Sequence, residues 1–188
     1  MDYLHANFQQ VSSSSARLGL YGCSMGGATM LISLNMDTKF RAAFIDSMAC
    51  DVYRVIEDNM NQRINGFGSA VISMACAVSG LRSYSNGCPP FPLDPPTEAR
   101  KLGKEKAVYF YHSTNDRICP IGTLGNCVAN AKASGARVSQ YYNHSLPLSE
   151  QNVDDNANRC DGHCDMSVIN LPDFEERIIS FFNKELMP

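Results

Sequence analysis

The sequence contains no long apolar run and no excess of positive charge. Its longest apolar stretch, residues 67–81, is interrupted by glycine and is shorter than the roughly 20 residues that a membrane-spanning helix needs. Lysine and arginine number 16 against 19 aspartate and glutamate, for a net charge of −3, so a basic surface that binds nucleic acid is not expected. We therefore expect neither a transmembrane span nor a nucleic-acid partner.

The spacing of the cysteines is not that of a structural zinc site. Eight cysteines are present, but none of them forms the Cys-x-x-Cys pair that such sites use. Cys160, His163 and Cys164 fall within five residues and could supply three ligands, which keeps a metal site open as a minor alternative. We predict no metal, and we expect Cys23 to pack as a small buried group.

Strand and helix patterns alternate along the chain, and 44% hydrophobic residues are enough for one substantial core over residues 1–188. The predicted strands are 17–21, 42–47, 107–112 and 136–142. The predicted helices are 3–11, 26–36, 97–103, 120–134 and 172–186. The last helix carries Phe174, Ile178, Phe181 and Phe182 at helical spacing, a stripe that should dock on the sheet. Such alternation is typical of an α/β domain with a parallel sheet.

One turn carries the strongest chemical signal. The pentapeptide Gly-Cys-Ser-Met-Gly at 22–26 follows a strand candidate and opens a helix candidate. A Gly-x-Ser-x-Gly turn of this kind strains the serine backbone and presents the hydroxyl at the carboxyl end of the strand. Side chains at Gly22 and Gly26 should collide with the neighbouring strand and helix. Ser24 is therefore the candidate nucleophile, and a glycine-rich turn with an incidental serine is the alternative.

A serine nucleophile needs a base and an acid that orients the base, and after such a turn they are expected in the order Ser, Asp or Glu, His. Asp116 lies in the loop after the strand candidate 107–112, and His163 precedes the final helix candidate. These residue types in this order predict Asp116 as the acid and His163 as the base.

Each of these two roles has a competitor. Asp46, at the end of the strand 42–47, is a second candidate acid, and His144 is a second candidate base. Asp116 could instead close a turn through its side chain, which is a common function of aspartate. His112 is expected to hold the turn after its strand, and His5 is expected to be solvated.

Four segments together resemble the α/β-hydrolase superfamily. They are residues 21–29 around the serine, the strand end Phe44-Ile45-Asp46-Ser47, the turn His112-Ser113-Thr114-Asn115-Asp116 and the pair Gly162-His163. The chain is most similar to the serine aminopeptidase, prolyl-oligopeptidase-like and Bem46-like branches. The resemblance implies a partial α/β-hydrolase fold, with about four parallel strands, flanking helices and a helical cap built on an insert at about 52–96.

The resemblance also implies an activity. Ser24, Asp116 and His163 would form the triad of a serine hydrolase that cleaves an ester, thioester or amide bond of a small-molecule or peptide substrate without a cofactor. The backbone N–H of Met25 would be one oxyanion donor. Only the second half of the family's domain is covered, so we expect the chain alone to be impaired and to pair with a missing N-terminal half or another chain. A non-catalytic remnant or binding module is the alternative.

Overall fold

The computed structural model describes residues 17–50, 55, 94–143, 162–164 and 171–187. Its strands are β1 (Leu18–Cys23), β2 (Phe40–Asp46), β3 (Ala107–Ser113) and β4 (Arg137–Asn143). Its helices are α1 (Met25–Ser33), α2 (Pro95–Ala99), α3 (Gly125–Ala133) and α4 (Leu171–Leu186), and a 3₁₀ turn at Ile121–Thr123 precedes α3. The alternation predicted from the sequence is confirmed in these segments.

The strands form one parallel sheet, as predicted, and their order is β1-β2-β3-β4. Cys23 at the end of β1 is in register with Asp46 at the end of β2, and Asp46 is in register with Tyr111 of β3. The carboxyl ends of these three strands therefore lie along one rim, and the loops that follow them meet there. Within the described residues β1 is an outer strand that pairs with β2 alone.

Helices pack on both faces of the sheet. On one face, α1, α2 and α3 contribute Leu31, Ala99 and Val128 to a cluster that includes Ile45 and Phe110 of the sheet. Burial of these apolar side chains is the main stabilising term for this layer.

The other face is covered by α4. Phe174 and Phe181 are buried against Phe44 of β2, while Ile178 and Phe182 pack at the edge of the same cluster. Phe174 meets Phe44 edge to face, with ring centroids 5.6 Å apart. The predicted docking of the α4 stripe on the sheet is confirmed.

Several boundaries differ from those predicted. The first strand continues to Cys23, because Gly22 and Cys23 still pair with β2. The short helix begins at Pro95 rather than residue 97, because the Asp94 side chain accepts a hydrogen bond from the Thr97 N–H at 3.0 Å and caps the helix there. The predicted helix at 3–11 and most of the insert at 52–96 lie outside the described residues.

A disulfide joins the segment after β2 to helix α3. It links Cys50, four residues beyond the end of β2, to Cys127 in α3. Both residues are fully buried. The described helices include none with the length and apolar character needed to cross a bilayer.

Candidate active site

Ser24 occupies a strained turn between β1 and α1. Its backbone angles are φ 54° and ψ −124°, a region that residues with a side chain rarely adopt. Neighbouring backbone groups hold it there: the Ser24 N–H donates to the Asp46 carbonyl at 2.9 Å, and the Ser24 carbonyl accepts from the N–H groups of Ala28 and Ala49 at 3.3 and 3.4 Å. The predicted strain at this serine is confirmed, and strain of this kind is concentrated at functional sites.

The glycines that make room for this turn are not quite those predicted. A Cβ on Gly22 would lie 2.6 Å from the Gly26 carbonyl carbon, so this glycine is required as predicted. The prediction for Gly26 is wrong, because a Cβ there would meet nothing within 4 Å. Gly27 is the crowded position instead: it faces the sheet, and a Cβ on it would lie 2.9 Å from Cγ2 of Ile45.

The first residues of α1 lie beside this serine. Met25 is the first residue of the helix and is 68% exposed. Its N–H belongs to the first helical turn, whose amides have no intrahelical acceptor. A developing negative charge near Ser24 would therefore meet an available donor at the positive end of the helix.

Asp116 lies in the loop after β3, and its carboxylate is completely buried. Oδ1 accepts hydrogen bonds from the N–H groups of Ile118 and Cys119, at 2.9 and 2.7 Å. Oδ2 lies 2.9 Å from Nδ1 of His163. The turn-closing role and the contact to a histidine, weighed as alternatives in the sequence, are both present because each uses a different oxygen.

His163 therefore meets the predicted acid, although 47 residues separate the two. Since Nδ1 donates to the carboxylate, Nε2 carries the lone pair in the neutral imidazole. Burial alone lowers the pKa of His163. Its hydrogen bonds with Asp116, Cys119 and Cys164, together with the negative charge of Asp116, outweigh that effect and raise the pKa well above the ordinary histidine value.

The competing acid Asp46 is engaged elsewhere. It is 1% exposed, and its Oδ1 accepts a hydrogen bond from the Ser47 hydroxyl at 2.9 Å. Ser47 itself has φ 48° and accepts the Cys164 N–H on its hydroxyl oxygen at 3.1 Å. Sequence reasoning missed Ser47, and the only signal was a small polar residue directly after a strand that borders the serine strand.

His112 holds the turn after β3, as predicted. Its Nε2–H donates to the Cys119 carbonyl at 2.8 Å, and the same nitrogen lies 3.6 Å from Asp116 Oδ2. Burial lowers the pKa of His112, which favours the neutral ring at this position. His112 thus supports the loop that carries Asp116.

The remaining candidates either lie outside the described residues or differ from expectation. His5, His144 and Cys160 lie outside them, and the described residues hold no group of three or more potential metal ligands. The prediction that Cys23 is buried is wrong: it is exposed, because β1 is the outer strand of the described sheet.

The residues of the candidate site, including Ser47, which was not predicted, are thus distributed along one rim. Ser24 follows β1, Ser47 follows β2, and Asp116 follows β3. His163 contacts the β3 loop through its ring, and the next residue, Cys164, contacts the β2 end through its N–H. The segment that carries His163 thus contacts the ends of the two strands next to β1 in the sheet, at the rim where Ser24 lies.

No protein-family model and no curated protein matches the chain. Solved structures do match it. An esterase of Pyrococcus furiosus superposes with a TM-score of 0.67 at 14% identity, covering 100% of this chain and 59% of the esterase. An acylaminoacyl peptidase of Pyrococcus horikoshii has a TM-score of 0.59 at 14% identity, covering 98% of this chain and 26% of the peptidase.

A third similar structure is an α/β hydrolase of a Penicillium species, with a TM-score of 0.58, 13% identity and coverage of 98% of this chain and 71% of that one. The described chain has the fold of part of an α/β-hydrolase. It spans 59% of the length of the Pyrococcus furiosus esterase. The fold class implied by the sequence resemblance is confirmed.

Proposed function

We propose that this chain carries the acyl-transfer centre of a serine hydrolase, with Ser24 as nucleophile, His163 as base and Asp116 as orienting acid. The observation that carries the proposal is the 2.9 Å contact between His163 Nδ1 and Asp116 Oδ2, at the rim where Ser24 holds its positive φ. The likeness of the fold to esterases and an acylaminoacyl peptidase supports the class of reaction.

The reaction proceeds in two steps. As the Ser24 hydroxyl oxygen attacks the carbonyl carbon of an ester, thioester or amide, His163 Nε2 takes the hydroxyl proton, and it then gives that proton to the leaving group. Water attacks the resulting acyl-serine, His163 accepts a proton from the water, and the acid is released as Ser24 regains its proton. The Met25 N–H donates to the carbonyl oxygen while it carries negative charge. No cofactor takes part in these steps.

Asp116 serves this reaction through its charge and its fixed position. The two backbone N–H groups on Oδ1 fix the position of the carboxylate, and Oδ2 holds the Nδ1–H tautomer of His163. The same carboxylate stabilises the imidazolium that forms when Ser24 loses its proton. The raised pKa of His163 means that the reaction should speed up as the pH rises, because only the neutral ring accepts a proton.

Segments outside the described residues would complete the substrate site. We propose that the insert at about 52–96, most of which lies outside the described residues, forms a cap over the acyl pocket, and that a second oxyanion donor comes from another segment or another chain. β1 carries the serine and is the outer strand of the described sheet, so its open edge is where such a partner would pair. A small-molecule or peptide acyl substrate suits the proposed centre.

Covalent labelling by a fluorophosphonate probe tests the proposal, because the probe requires an activated serine more than a complete substrate pocket. We expect one label per folded chain in the wild type, none in Ser24→Ala and a rate at least about 1,000-fold lower in His163→Ala. Ser180→Ala is the matched control, since Ser180 lies on the exposed side of α4. Labelling that persists in Ser24→Ala, or a folded wild type that takes no label, contradicts the proposal and favours a binding module.

A further inference from the structure

The tripeptide that carries His163 is held from two different strand ends. Gly162 has φ 76° and packs against the β3 loop so closely that a Cβ on it would lie 2.7 Å from the Asn115 carbonyl oxygen. The His163 ring contacts Asp116 in the same loop. On the other side, the Cys164 N–H donates to the Ser47 hydroxyl oxygen at 3.1 Å, beyond the end of β2. Asp116 fixes the ring, and Ser47 fixes the backbone.

The Ser47 hydroxyl has a defined orientation. Its single proton is donated to Asp46 Oδ1 at 2.9 Å, which directs the oxygen lone pairs toward the Cys164 N–H. An ionised carboxylate can only accept, so the hydroxyl cannot reverse its direction while Asp46 is charged. Asp46 and Ser47 are both 1% exposed, so water has little access to compete for these bonds.

Asp46 also holds the serine turn. Its backbone carbonyl accepts the Ser24 N–H at 2.9 Å, while its carboxylate orients the Ser47 hydroxyl. Ser24 and Ser47 are the residues directly after β1 and β2, and both have positive φ values, 54° and 48°. The dipeptide Asp46-Ser47 therefore connects the backbone of the nucleophile to the backbone of the base through three hydrogen bonds.

We propose that Ser47 is a positioning residue that sets the distance between His163 and Ser24. Its hydroxyl, oriented by Asp46, holds the peptide between His163 and Cys164 at the β2 end, independently of the contact between Asp116 and the ring. The role rests on the proposed serine hydrolase function. It differs from that of Asp116, which controls the tautomer and the charge of the imidazole, because Ser47 controls only where the imidazole lies.

Ser47→Gly removes the hydroxyl with little cost to the backbone, because glycine adopts a φ of 48° without strain. Displacing a catalytic base by about 1 Å can cost about 100-fold in rate. We therefore expect the rate of fluorophosphonate labelling, compared at the same pH, to fall by about 10- to 100-fold. The dependence of the labelling rate on pH should keep the same shape, because the bond between Asp116 and His163 is kept. Ser180→Gly provides the same substitution at an exposed helical position and should leave labelling unchanged.

A double-mutant cycle separates positioning from a general effect on the fold. If Ser47 acts through the base, Ser47→Gly should change the labelling rate less than about twofold once His163→Ala has removed the base. Asp46→Ala, which removes the acceptor that orients the Ser47 hydroxyl, should likewise slow labelling and add nothing to Ser47→Gly, because the carboxylate acts through the hydroxyl. Hydrogen exchange of the Cys164 amide should be faster in Ser47→Gly than in the wild type. This measurement detects the loss of the hydrogen bond to Ser47 and does not depend on labelling or activity.

The outcomes are distinct. A wild type that is labelled at Ser24 but is unaffected by Ser47→Gly overturns the positioning role alone. An equal loss in the His163→Ala background also overturns it, since the effect would then bypass the base. A folded wild type that takes no label contradicts the serine hydrolase function and this role with it.

Discussion

At the residue scale, Asp116 divides two tasks between its two oxygens. Oδ1 closes the turn of its own loop by accepting two backbone N–H groups, and Oδ2 accepts the Nδ1–H of His163. A substitution that keeps the shape of the side chain but removes its charge therefore separates these tasks. Asparagine can still accept the turn amides on its carbonyl oxygen, while its amide nitrogen cannot accept from the imidazole.

Asp116→Asn should consequently lower the rate of fluorophosphonate labelling by about 10,000-fold while the fold is retained, because the imidazole loses the partner that selects its tautomer. It should also change the pH dependence. In the wild type the raised pKa of His163 places the rise in labelling above pH 6.5, the ordinary histidine value. Removing the carboxylate lowers the pKa, so the rise should move to lower pH in the variant.

The measurement is the labelling rate from pH 5 to 10, with unfolding followed in parallel to confirm that both proteins remain folded. Labelling rates that rise with pH in parallel in the wild type and the variant over this range would show that Asp116 does not set the charge state of the base. Glu98→Gln is a suitable control, because Glu98 is also a buried carboxylate but binds Lys101 and Asn35, away from the rim.

At the element scale, the close approach of α1 to the sheet determines where the serine turn lies. Gly27 sits over β2, and an added Cβ would come within 2.9 Å of Ile45 Cγ2 and 3.3 Å of Met48 Cβ. A Cβ added to Gly26, one residue earlier, would meet no atom within 4 Å. Two adjacent glycines in one helix thus offer a matched pair of substitutions.

Gly27→Ala should lower the free energy of unfolding by about 1 to 3 kcal/mol, because α1 must shift away from β2 to accept the methyl group. Labelling of Ser24 should fall as well, since the turn moves with the helix. Gly26→Ala should be neutral or stabilise the protein by up to about 1 kcal/mol, because alanine favours a helix over glycine. Urea unfolding of both variants checks this, and equal effects at the two positions would contradict the packing described for α1.

The positions of the strands could be predicted from the sequence, but the end of β1 and the contacts of Gly26 could not. Apolar and aromatic runs predicted all four described strands within two residues. Burial on both faces leaves a strong local pattern in β2 and β3, whereas none of residues 18–23 of β1 and 137–142 of β4 is fully buried. The end of β1 was missed because glycine and cysteine have no marked strand preference, and only pairing with β2 extends the strand to Cys23. Gly26 was misassigned because a repeated glycine gives no indication of which one faces the sheet.

Ser47 illustrates a different limit. The triad candidates could be predicted because their order along the chain is itself a pattern, whereas Ser47 acts on a residue 117 positions away. Nothing local to the strand end indicates that contact. Such a role emerges only when β2 and the loop that carries His163 are placed at the same rim.

At the scale of the whole molecule, the disulfide is the covalent link between the rim and the helical layer. Cys50 follows Ser47 by three residues, and Ala49 between them donates its N–H to the Ser24 carbonyl at 3.4 Å. Cys127 lies in α3, within the cluster that packs beneath β2 and β3. The bridge therefore anchors the segment that carries both Ser47 and Ala49, and it closes a sequence separation of 77 residues.

Because a cross-link of this span removes much of the freedom of the unfolded chain, reduction should lower the free energy of unfolding by about 2 to 4 kcal/mol. Urea unfolding with and without a thiol reductant measures the difference. The double variant Cys50→Ala/Cys127→Ala should lose the part of the response that this bridge contributes, while Cys23→Ala, which changes an exposed thiol, should respond as the wild type does. If the wild type unfolds at the same urea concentration in both conditions, the bridge does not hold the rim to the helices, and the position of Ser47 must depend on its hydrogen bonds alone.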